Sequence, residues 1–170
     1  MKDKLNQTNL MSLEILKETM RAWATGVAIV TGHHNGFVHG MTANSFNSIA
    51  LAPPTVMVAL QKQTRTQNLV KEEGFFGVTI LETSQISLAR RFAGQIEPDK
   101  PRFDGVETFT MVSGAPLITD GIGFLDCKVV HAFDVGATTV FIGEVLEAQK
   151  SDRSQDPLLY FNREWRKLAG

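Results

Sequence analysis

The segment Met41-Thr42-Ala43-Asn44-Ser45-Phe46-Asn47-Ser48 is the most unusual stretch of this sequence. Six of its eight residues are small or polar, yet it follows a strand-like segment and precedes the apolar Ile49-Ala50-Leu51. Polar groups at the edge of a core need hydrogen-bond partners. They find these partners either within an ordinary Asx or serine turn or on a bound ligand. The residues alone leave both interpretations open.

The residues before this segment predict a hairpin. Residues 25–31 (TGVAIVT) are apolar and β-branched, which is typical of a short buried strand. The segment Gly32-His33-His34-Asn35-Gly36 is rich in turn formers and predicts a hairpin turn. Residues 37–46 are then expected to form the returning strand.

The N-terminal region predicts one amphipathic helix over residues 12–23. Its apolar residues are spaced by three, four and three positions, so they share one helix face: Leu13, Leu16, Met20 and Trp23. Ser12 is a suitable N-cap for this helix. Residues 1–11 are expected to form a flexible N-terminus.

Short strands and short helices follow the opening segment. Pro53-Pro54 enforces extended backbone, and residues 55–60 continue as a strand. A helix is predicted from Thr66 to Glu73, with Gly74 as its stop. The further expected elements are a strand over 75–81, a helix capped by Thr83 or Ser84 that runs to Ala93, a loop over 94–116, and strands over 124–133 and 138–147.

The order of these elements predicts the fold class. Val135-Gly136-Ala137 suits a tight turn between the last two strands, and the apolar tail 157–168 is expected to dock on the domain. Strands do not alternate with long helices, which disfavours a doubly wound parallel sheet. The prediction is a mainly β fold with peripheral helices, an antiparallel barrel made by a single domain over residues 1–170.

Composition and charge narrow the range of functions. Hydrophobic residues make up 43% of the chain, and the formal net charge is −1. A near-neutral chain without a basic stripe gives no reason to expect nucleic acid or a membrane as partner. No signal peptide is recognisable, so a cytoplasmic location is expected. The single cysteine, Cys127, lies in an apolar run and is expected to be a buried small hydrophobe.

Familiar catalytic motifs are absent from the sequence. We find no dinucleotide-binding G-x-G-x-x-G, no phosphate-binding P-loop and no G-x-S-x-G nucleophile elbow. The histidines His33, His34, His39 and His131 lack the spacing of metal ligands, and no metal site is predicted. The paired carboxylates Glu72-Glu73 fall at a helix end and are expected to be solvated.

The opening segment resembles the T-A-N-S-F signature of the flavin-reductase-like family, the FMN-binding split β-barrels. Six further segments resemble motifs of this family and occur in the family's order. They are ATGVAIVT (24–31), LAPP (51–54), TRT (64–66), RFAG (91–94), FIGEV (141–145) and PLLYF (157–161). Each motif is weak alone, but the set in register covers roughly residues 15–168. The resemblance implies an antiparallel, Greek-key-like split barrel that binds FMN.

The resemblance also implies roles for individual residues. The flavin ring and ribityl chain would be lined by Thr42, Ala43, Asn44 and Ser45, with Ser48 bonding nearby. A flavin suits these side chains physically, because its pyrimidine edge presents alternating carbonyl and N–H groups. The phosphate would face Gln63, Thr64 and Thr66. The helix start at Thr66 favours an anion through its free N–H groups, although Thr66 equally suits a plain N-cap.

The remaining implied roles fall on two later motifs. Phe92 and Ala93 would border the flavin or nicotinamide face, Arg91 or Arg90 would pair with a phosphate, and Tyr160 would close the pocket. The residues alone equally allow Phe92 as core packing, the arginines as solvated helix-end residues, and Tyr160 as part of a docked tail. No side chain is expected to act as a catalytic residue, because the cofactors carry hydride transfer.

One segment departs from the family's pattern. Many members have Gly-Asp-His-Thr before the FIGEV strand, and their histidine helps to seat the nicotinamide. Here the same positions read Gly136-Ala137-Thr138-Thr139. Thr138, on the nicotinamide side, can donate a hydrogen bond but cannot stack or carry charge. The departure bears on the use of NADH rather than on FMN binding, and His131 is a weak alternative for the missing imidazole.

The resemblance implies an NAD(P)H-dependent flavin reductase that reduces FMN, or FAD, and supplies reduced flavin to a partner monooxygenase. Members of the family are homodimers with the flavin near the subunit interface, so a homodimer is expected. Two alternatives stay open. One is a flavoprotein with fixed FMN that reduces a ferric chelate or a small organic acceptor. The other is a non-enzymatic FMN-binding carrier or sensor.

Overall fold

The computed structural model describes residues 13–153 and 155–168. The expected N-cap Ser12 and the expected flexible segment 1–11 lie outside these described residues. The elements are a helix over 13–21 (α1), β1 (Thr25–Gly26), β2 (Ala28–His34), β3 (Phe37–Ala43), β4 (Asn47–Leu51), β5 (Pro54–Gln61), α2 (Arg65–Glu73), β6 (Phe75–Ile80), a 3₁₀ turn (Thr83–Gln85), α3 (Ile86–Phe92), β7 (Thr108–Thr110), β8 (Pro116–Ile118), β9 (Gly123–Val135), β10 (Thr138–Lys150), β11 (Leu159–Phe161) and β12 (Glu164–Arg166).

A seven-stranded antiparallel sheet forms the body of the protein, in the order β3-β2-β6-β9-β10-β5-β4. The predicted fold class, mainly β with peripheral helices, is therefore confirmed. Its longest pairing is the β9–β10 hairpin, which turns at Gly136-Ala137 as expected. The predicted strand over 25–31 is divided into β1 and the first part of β2, because Val27 lies in neither strand.

The opening segment closes this sheet into a barrel. The two edge strands, β3 and β4, are consecutive in the chain and are separated only by residues 44–46. Four Cα steps reach at most about 14 Å, so the sheet must curl until its two edges approach each other. Ser45 Oγ fixes the join, since it donates to the carbonyl of Ala59 on β5 at 2.8 Å and accepts from its N–H at 3.2 Å.

The prediction of one strand over 37–46 was therefore wrong at its C-terminal end. The strand stops at Ala43, and the chain crosses to the opposite edge of the sheet, where residues 47–51 form the unpredicted strand β4. Residues 44–46, which make this crossing, are polar or partly exposed because they lie between the two edges of the sheet. The predicted hairpin turn at 32–36 is also shorter than expected, because His33 and His34 pair in the β2–β3 ladder.

Two apolar clusters lie on the two faces of β2, which explains its continuous apolar run. Ala28 and Val30 contribute to the barrel interior, whereas Ile29 packs with Leu81 and Phe92 in a second cluster beneath α3. Cys127 belongs to the barrel interior and is fully buried, as predicted. Burial, and then the Asp126 carboxylate, raises the pKa of the Cys127 thiol to about 12.

Helix α2 lies against β2 and presents its first turn to the site described below. Its N-cap is Thr64, whose hydroxyl accepts from the N–H of Gln67. The helix begins at Arg65, one residue before the predicted start at Thr66. Gly74 ends the helix in the left-handed region, with φ of 80°, as predicted. Gly32 on β2 permits the close packing, because a Cβ there would lie 3.0 Å from Cγ2 of Val70.

The C-terminal tail docks on the barrel, as predicted. Leu158 is fully buried, its N–H donates to the Leu81 carbonyl, and its carbonyl accepts from the Val27 N–H. Strands β11 and β12 then form a hairpin against β1. One other expectation was wrong, since Glu82, rather than Thr83 or Ser84, caps the turn before α3. Residues 94–116 are mostly loop, as expected, and contain the short strand β7.

Helix α1 forms, but its apolar face does not join the core. Leu16, Met20 and Trp23 are 56%, 54% and 66% exposed. The predicted amphipathic face is therefore present without a described partner in the chain.

The packing of the barrel interior gives a first testable expectation. Gly143→Ala is expected to lower the free energy of unfolding by about 1–3 kcal/mol, because the new Cβ would lie 2.5 Å from Cζ of the fully buried Phe76. Urea denaturation measures the change. Gly26→Ala is the matched control, since nothing lies within 4 Å of a Cβ at that position. Equal losses in the two variants would contradict this packing.

Candidate functional site

A cavity of about 930 Å³ opens between β3, the first turn of α2, the end of α3 and the loop over residues 98–103. Its volume lies within the roughly 300–1,000 Å³ typical of small-molecule sites. Five residues that the sequence assigned to a ligand lie in its wall: Thr42, Thr64, Thr66, Phe92 and Ala93. These residues come from three separate elements, β3, the start of α2 and the end of α3, so the fold brings the predicted motifs together.

The wall of the cavity beside α3 is closely packed. A Cβ at Gly40 would lie 2.9 Å from Cε1 of Phe92, so glycine is required behind this ring. Phe92, which lines the cavity, is fully buried and packs edge-to-face on Phe103, with ring centroids 5.1 Å apart. Thr42 is held in the same wall, since its hydroxyl donates to the Ala89 carbonyl at 2.6 Å. The wall formed by Thr42 and Phe92 is called the floor of the cavity below.

Two arginines hold the loop that forms the roof of the cavity. Arg91 donates through Nη2 to the carbonyls of Pro101 and Asp104, both at 2.8 Å. Arg102 donates through Nη1 to the Gly40 carbonyl at 2.7 Å, which ties the loop to β3. The structure thus places Arg91 on the loop backbone, whereas the sequence assigned it to a phosphate.

One end of the cavity is cationic. Arg65 and Arg102 both line it, and neither has a carboxylate within 4.0 Å among the residues that the structure describes. Burial, and then the neighbouring Arg65, lowers the pKa of the Arg102 guanidinium. Arg65 and Thr66, the first two residues of α2, line the cavity, and helix geometry leaves their N–H groups without a partner within the helix. Two uncompensated guanidinium groups beside a helix N-terminus fit a phosphate group.

A histidine that the sequence did not single out completes this end. His39 Nδ1 lies 2.8 Å from Oγ1 of Thr66, and the two side chains share a hydrogen bond. Burial, then Arg102 and Arg65, lowers the pKa of His39 to about 4. The imidazole is therefore neutral at pH 7. The sequence could have indicated His39 by its position on β3, two residues before Met41, because alternate residues of a strand share one face.

The pKa of His39 makes stability depend on pH. The unfolded chain protonates this imidazole near its ordinary pKa of 6.5, whereas the folded protein does so near a pKa of about 4. The unfolded state thus binds more protons between these values, and the free energy of unfolding is expected to fall as pH drops from about 6.5 to about 4. Urea denaturation across this range measures the slope, which His39→Gln should flatten. Identical slopes in both proteins would contradict the assignment.

Other residues that the sequence assigned to the ligand lie around the cavity rather than in it. Asn44 and Tyr160 line a smaller pocket of about 140 Å³ that also touches Thr42 and Ala93. Ala43 is only 7% exposed and belongs to the barrel interior.

The remaining residues that the sequence assigned to the ligand have structural roles or lie outside the cavity. Ser45 holds the barrel join described above, and Ser48 is exposed on the edge strand β4. Gln63 has a φ of 63° and donates its N–H to Oε1 of Gln67. Thr138 pairs with Gln61, a cavity residue, so it lies next to the wall without forming it.

The barrel and its cavity define a protein with a site of small-molecule size that is cationic at one end. The chain matches the family model described as flavin reductase like domain over residues 20–169. It therefore belongs to the flavin reductase like family and is an oxidoreductase.

Individual relatives agree with this membership. The NADH-dependent flavin reductase StyB of Pseudomonas fluorescens is 35% identical over 147 residues, which are 85% of this chain and 84% of the relative. The ferric-chelate reductase (NAD(P)H) of Archaeoglobus fulgidus is 37% identical over 73% of this chain and 75% of its own. The solved structure of flavin reductase PheA2 has a TM-score of 0.83 and 36% identity, covering 92% of this chain and 98% of that one. Other relatives are named as reductase components of monooxygenases.

Two features of the described residues bear on other kinds of site. No group of three or more histidine, cysteine, aspartate or glutamate side chains within 13–153 and 155–168 is arranged to hold a metal ion. In that same part of the chain, no helix has the length and apolar character needed to cross a membrane.

Proposed function

We propose that this flavin reductase takes FMN in the 930 Å³ cavity, uses NADH as reductant and releases reduced FMN to a partner monooxygenase. The observation that carries the proposal is the cationic end of the cavity, where Arg65 and Arg102 lie beside the start of α2. A flavin bound there supplies the ring that accepts hydride, so the protein needs no acid, base or nucleophile of its own.

The chain's own residues would bind the flavin, orient its ring and shield it from water. Arg65 and the N–H groups that begin α2 would hold the phosphate, with Thr66 oriented by His39. The floor formed by Thr42 and Phe92 would border the ring. The roof loop, held by its two arginines, would keep water from the reacting face.

The charge at the cationic end favours FMN over FAD. A phosphate monoester carries roughly −1.5 to −2 at neutral pH, like the phosphoryl group of a phosphorylated side chain. Each phosphate of a dinucleotide carries only one negative charge. Arg65 lies close enough to Arg102 to lower the pKa of its guanidinium, so the two groups together match two charges carried by a single phosphate. The preference is tested by the ratio of kcat/KM for the two flavins.

Steady-state oxidation of NADH and NADPH with added FMN, FAD or riboflavin tests the proposed activity. Saturable oxidation that depends on added FMN is the expected result. The visible spectrum of the purified protein is recorded first, and gel filtration after turnover reports whether flavin leaves. Oxidation no faster than that of free flavin and NADH would contradict the proposal.

The nicotinamide side gives a separate expectation, because Thr138 replaces the histidine of many family members. Thr138→His is expected to lower the KM for NADH by about tenfold, through about 1.4 kcal/mol of added stacking and hydrogen bonding. Thr138 is next to the cavity residue Gln61 in the β5–β10 ladder, so the new ring would reach the cavity mouth. Thr138→Val is the control, since it cannot donate a hydrogen bond. An unchanged KM for NADH would count against this placement.

In a second candidate function, the protein keeps FMN bound and reduces a ferric chelate. It is favoured by the ferric-chelate reductase among the relatives and by the altered Gly136-Ala137-Thr138-Thr139 segment. A yellow protein that retains flavin through gel filtration, and oxidises NADH only when a ferric chelate is added, would establish this candidate in place of the first.

We also propose that the protein is a homodimer in the cytoplasm, where NADH is available. Large apolar side chains are exposed on β4, β9 and β10, including Leu51 at 91%, Phe133 at 51% and Val135 at 58%. Exposed apolar surface of this kind marks an association face. Light scattering coupled to gel filtration measures the mass, and a monomer at micromolar concentration would contradict the dimer.

A further inference from the structure

The turn between β5 and α2 sets the position of the cationic end of the cavity. Strand β5 ends at Gln61 and α2 begins at Arg65, so residues 62–64 make the turn. Arg65 and Thr66 follow this turn directly, and both line the cavity. A shift of the turn would therefore move the residues that begin the helix.

The backbone of this turn adopts a conformation that most residues disfavour. Gln63 has a φ of 63°, in the left-handed region that favours glycine. A residue keeps such a conformation only where neighbouring contacts hold it. Here the Gln63 N–H donates to Oε1 of Gln67 at 3.2 Å. Gln67 therefore holds the turn from within the first turn of the helix.

The other side of the Gln67 amide reaches the β9–β10 hairpin. Gln67 is buried, and its Nε2 donates to Oγ1 of Thr139 on β10 at 3.3 Å. Thr139 is buried as well, and its hydroxyl donates to Oδ1 of Asp134 on β9 at 2.7 Å. We call Gln67, Thr139 and Asp134 the Gln67 network. It connects the turn before α2 to the end of the longest hairpin.

The two ends of the Gln67 network determine the direction of each hydrogen bond in it. A backbone N–H can only donate, so Gln67 presents its oxygen to Gln63 and its amide nitrogen to Thr139. At the other end, the Thr139 hydroxyl, followed by Lys62, lowers the pKa of Asp134, so this carboxylate is ionised and only accepts. Each side chain in the network thus has one orientation that satisfies both of its neighbours.

The Gln67 network lies behind the cavity wall rather than in it. None of its three side chains lines the cavity, whereas Thr64, Arg65 and Thr66 do. A group that does not contact the ligand affects binding only through the residues that it holds. Loss of the network should therefore displace the start of α2 and leave the floor at Phe92 in place.

We propose that Gln67, held by Thr139, is a positioning residue for the phosphate of the flavin. It fixes the turn at Gln63 and so places Arg65, Thr66 and the first N–H groups of α2 where an anion can bind between them. The inference rests on the proposed function, because it requires a phosphate at the cationic end of the cavity. It extends that function to side chains that do not touch the ligand.

Gln67→Met tests the positioning role, because methionine has a similar length but lacks the amide that joins Gln63 to Thr139. It is expected to raise the Kd for FMN about tenfold, equal to about 1.4 kcal/mol, and to change the Kd for riboflavin less than about twofold. Riboflavin is the comparison ligand because it has no phosphate. Flavin-fluorescence titration measures both values.

Gln85→Met is the matched control. Gln85 is also a buried glutamine, and its Oε1 accepts a backbone N–H, that of Glu82, at 3.0 Å. It lies before α3 and does not line the cavity. Gln85→Met should lower the free energy of unfolding in urea as Gln67→Met does, but it should keep the wild-type ratio of the two Kd values.

Thr139 supplies a second pair of variants, which keeps the test valid if Gln67→Met does not fold. Thr139→Val removes the hydroxyl and is expected to raise the Kd for FMN about threefold, with the Kd for riboflavin unchanged. Thr139→Ser retains the hydroxyl and is expected to restore FMN binding. A loss in Thr139→Ser as large as in Thr139→Val would contradict the role of the hydroxyl.

The outcomes separate this inference from the proposed function. A wild-type protein that prefers FMN to riboflavin, with a Gln67→Met variant that keeps this preference, would overturn the positioning role and leave the proposed function intact. Equal weakening of both flavins would also overturn it, since that is the effect of a purely structural residue. A wild-type protein without a preference for FMN would reject the phosphate site of the proposed function, and the positioning role with it.

Discussion

Replacing both Arg65 and Arg102 by glutamine is expected to raise the Kd for FMN by about a hundredfold, while riboflavin binding changes less than about twofold. Each arginine would donate a charge-assisted hydrogen bond to the phosphate, worth about 1.5–3 kcal/mol. Riboflavin has the same ring and ribityl chain but no phosphate. Comparison of the two ligands by flavin-fluorescence titration therefore isolates the cationic end of the cavity.

The comparison also separates binding from folding. Arg102 donates to the Gly40 carbonyl, so its loss could loosen the roof loop as well as remove a charge. A loosened loop would weaken FMN and riboflavin alike. Equal weakening of the two ligands, or no weakening of FMN, would contradict a phosphate site at this end. Arg153→Gln, which removes an exposed arginine elsewhere, should leave both affinities unchanged.

Phe92→Ala is expected to lower the free energy of unfolding by about 3–5 kcal/mol. Phe92 is fully buried and supports the cavity floor through Phe103 on one side and the Gly40 backbone on the other. Its removal leaves a void where the second apolar cluster meets the cavity. Urea denaturation measures the loss, and ligand binding should weaken with it because the floor is no longer fixed.

Phe37→Ala provides the control for this loss. Phe37, at the start of β3, is also a phenylalanine, but it is 73% exposed. Its removal should therefore change the free energy of unfolding by less than about 0.5 kcal/mol. A loss below about 1 kcal/mol for Phe92→Ala would mean that the surrounding side chains refill the void. The description of Phe92 as the support of the floor would then be wrong.

The sequence predicted the fold correctly where the local residue pattern alone determines the element that forms. The β9–β10 hairpin combines an apolar pattern with a glycine at its turn, and the end of α2 has Gly74. The crossing from β3 to β4 was not predictable from local pattern, because residues 37–46 read as one strand and only sheet closure separates them. Helix α1 was predicted, but what its apolar face contacts was not, since periodicity identifies an apolar face but not its partner.

The site was predictable only in part. Thr42, Thr66 and Phe92 lie within recognisable motifs, and the structure brings them to one cavity. His39 and Arg102 belong to no motif, and they are 63 positions apart in the sequence. They meet because the loop after α3 folds back onto β3, which is a long-range contact that periodicity does not report. The cationic end of the cavity is thus a product of tertiary structure.

The most direct test of the central claim is anaerobic stopped-flow mixing of the protein and FMN with NADH. The absorbance of oxidised flavin reports the hydride transfer itself, free of reoxidation by oxygen. The expected result is a loss of this absorbance that saturates with NADH and is weakened in the Arg65 and Arg102 double variant at low FMN. Flavin reduction no faster than in the absence of protein would contradict the account.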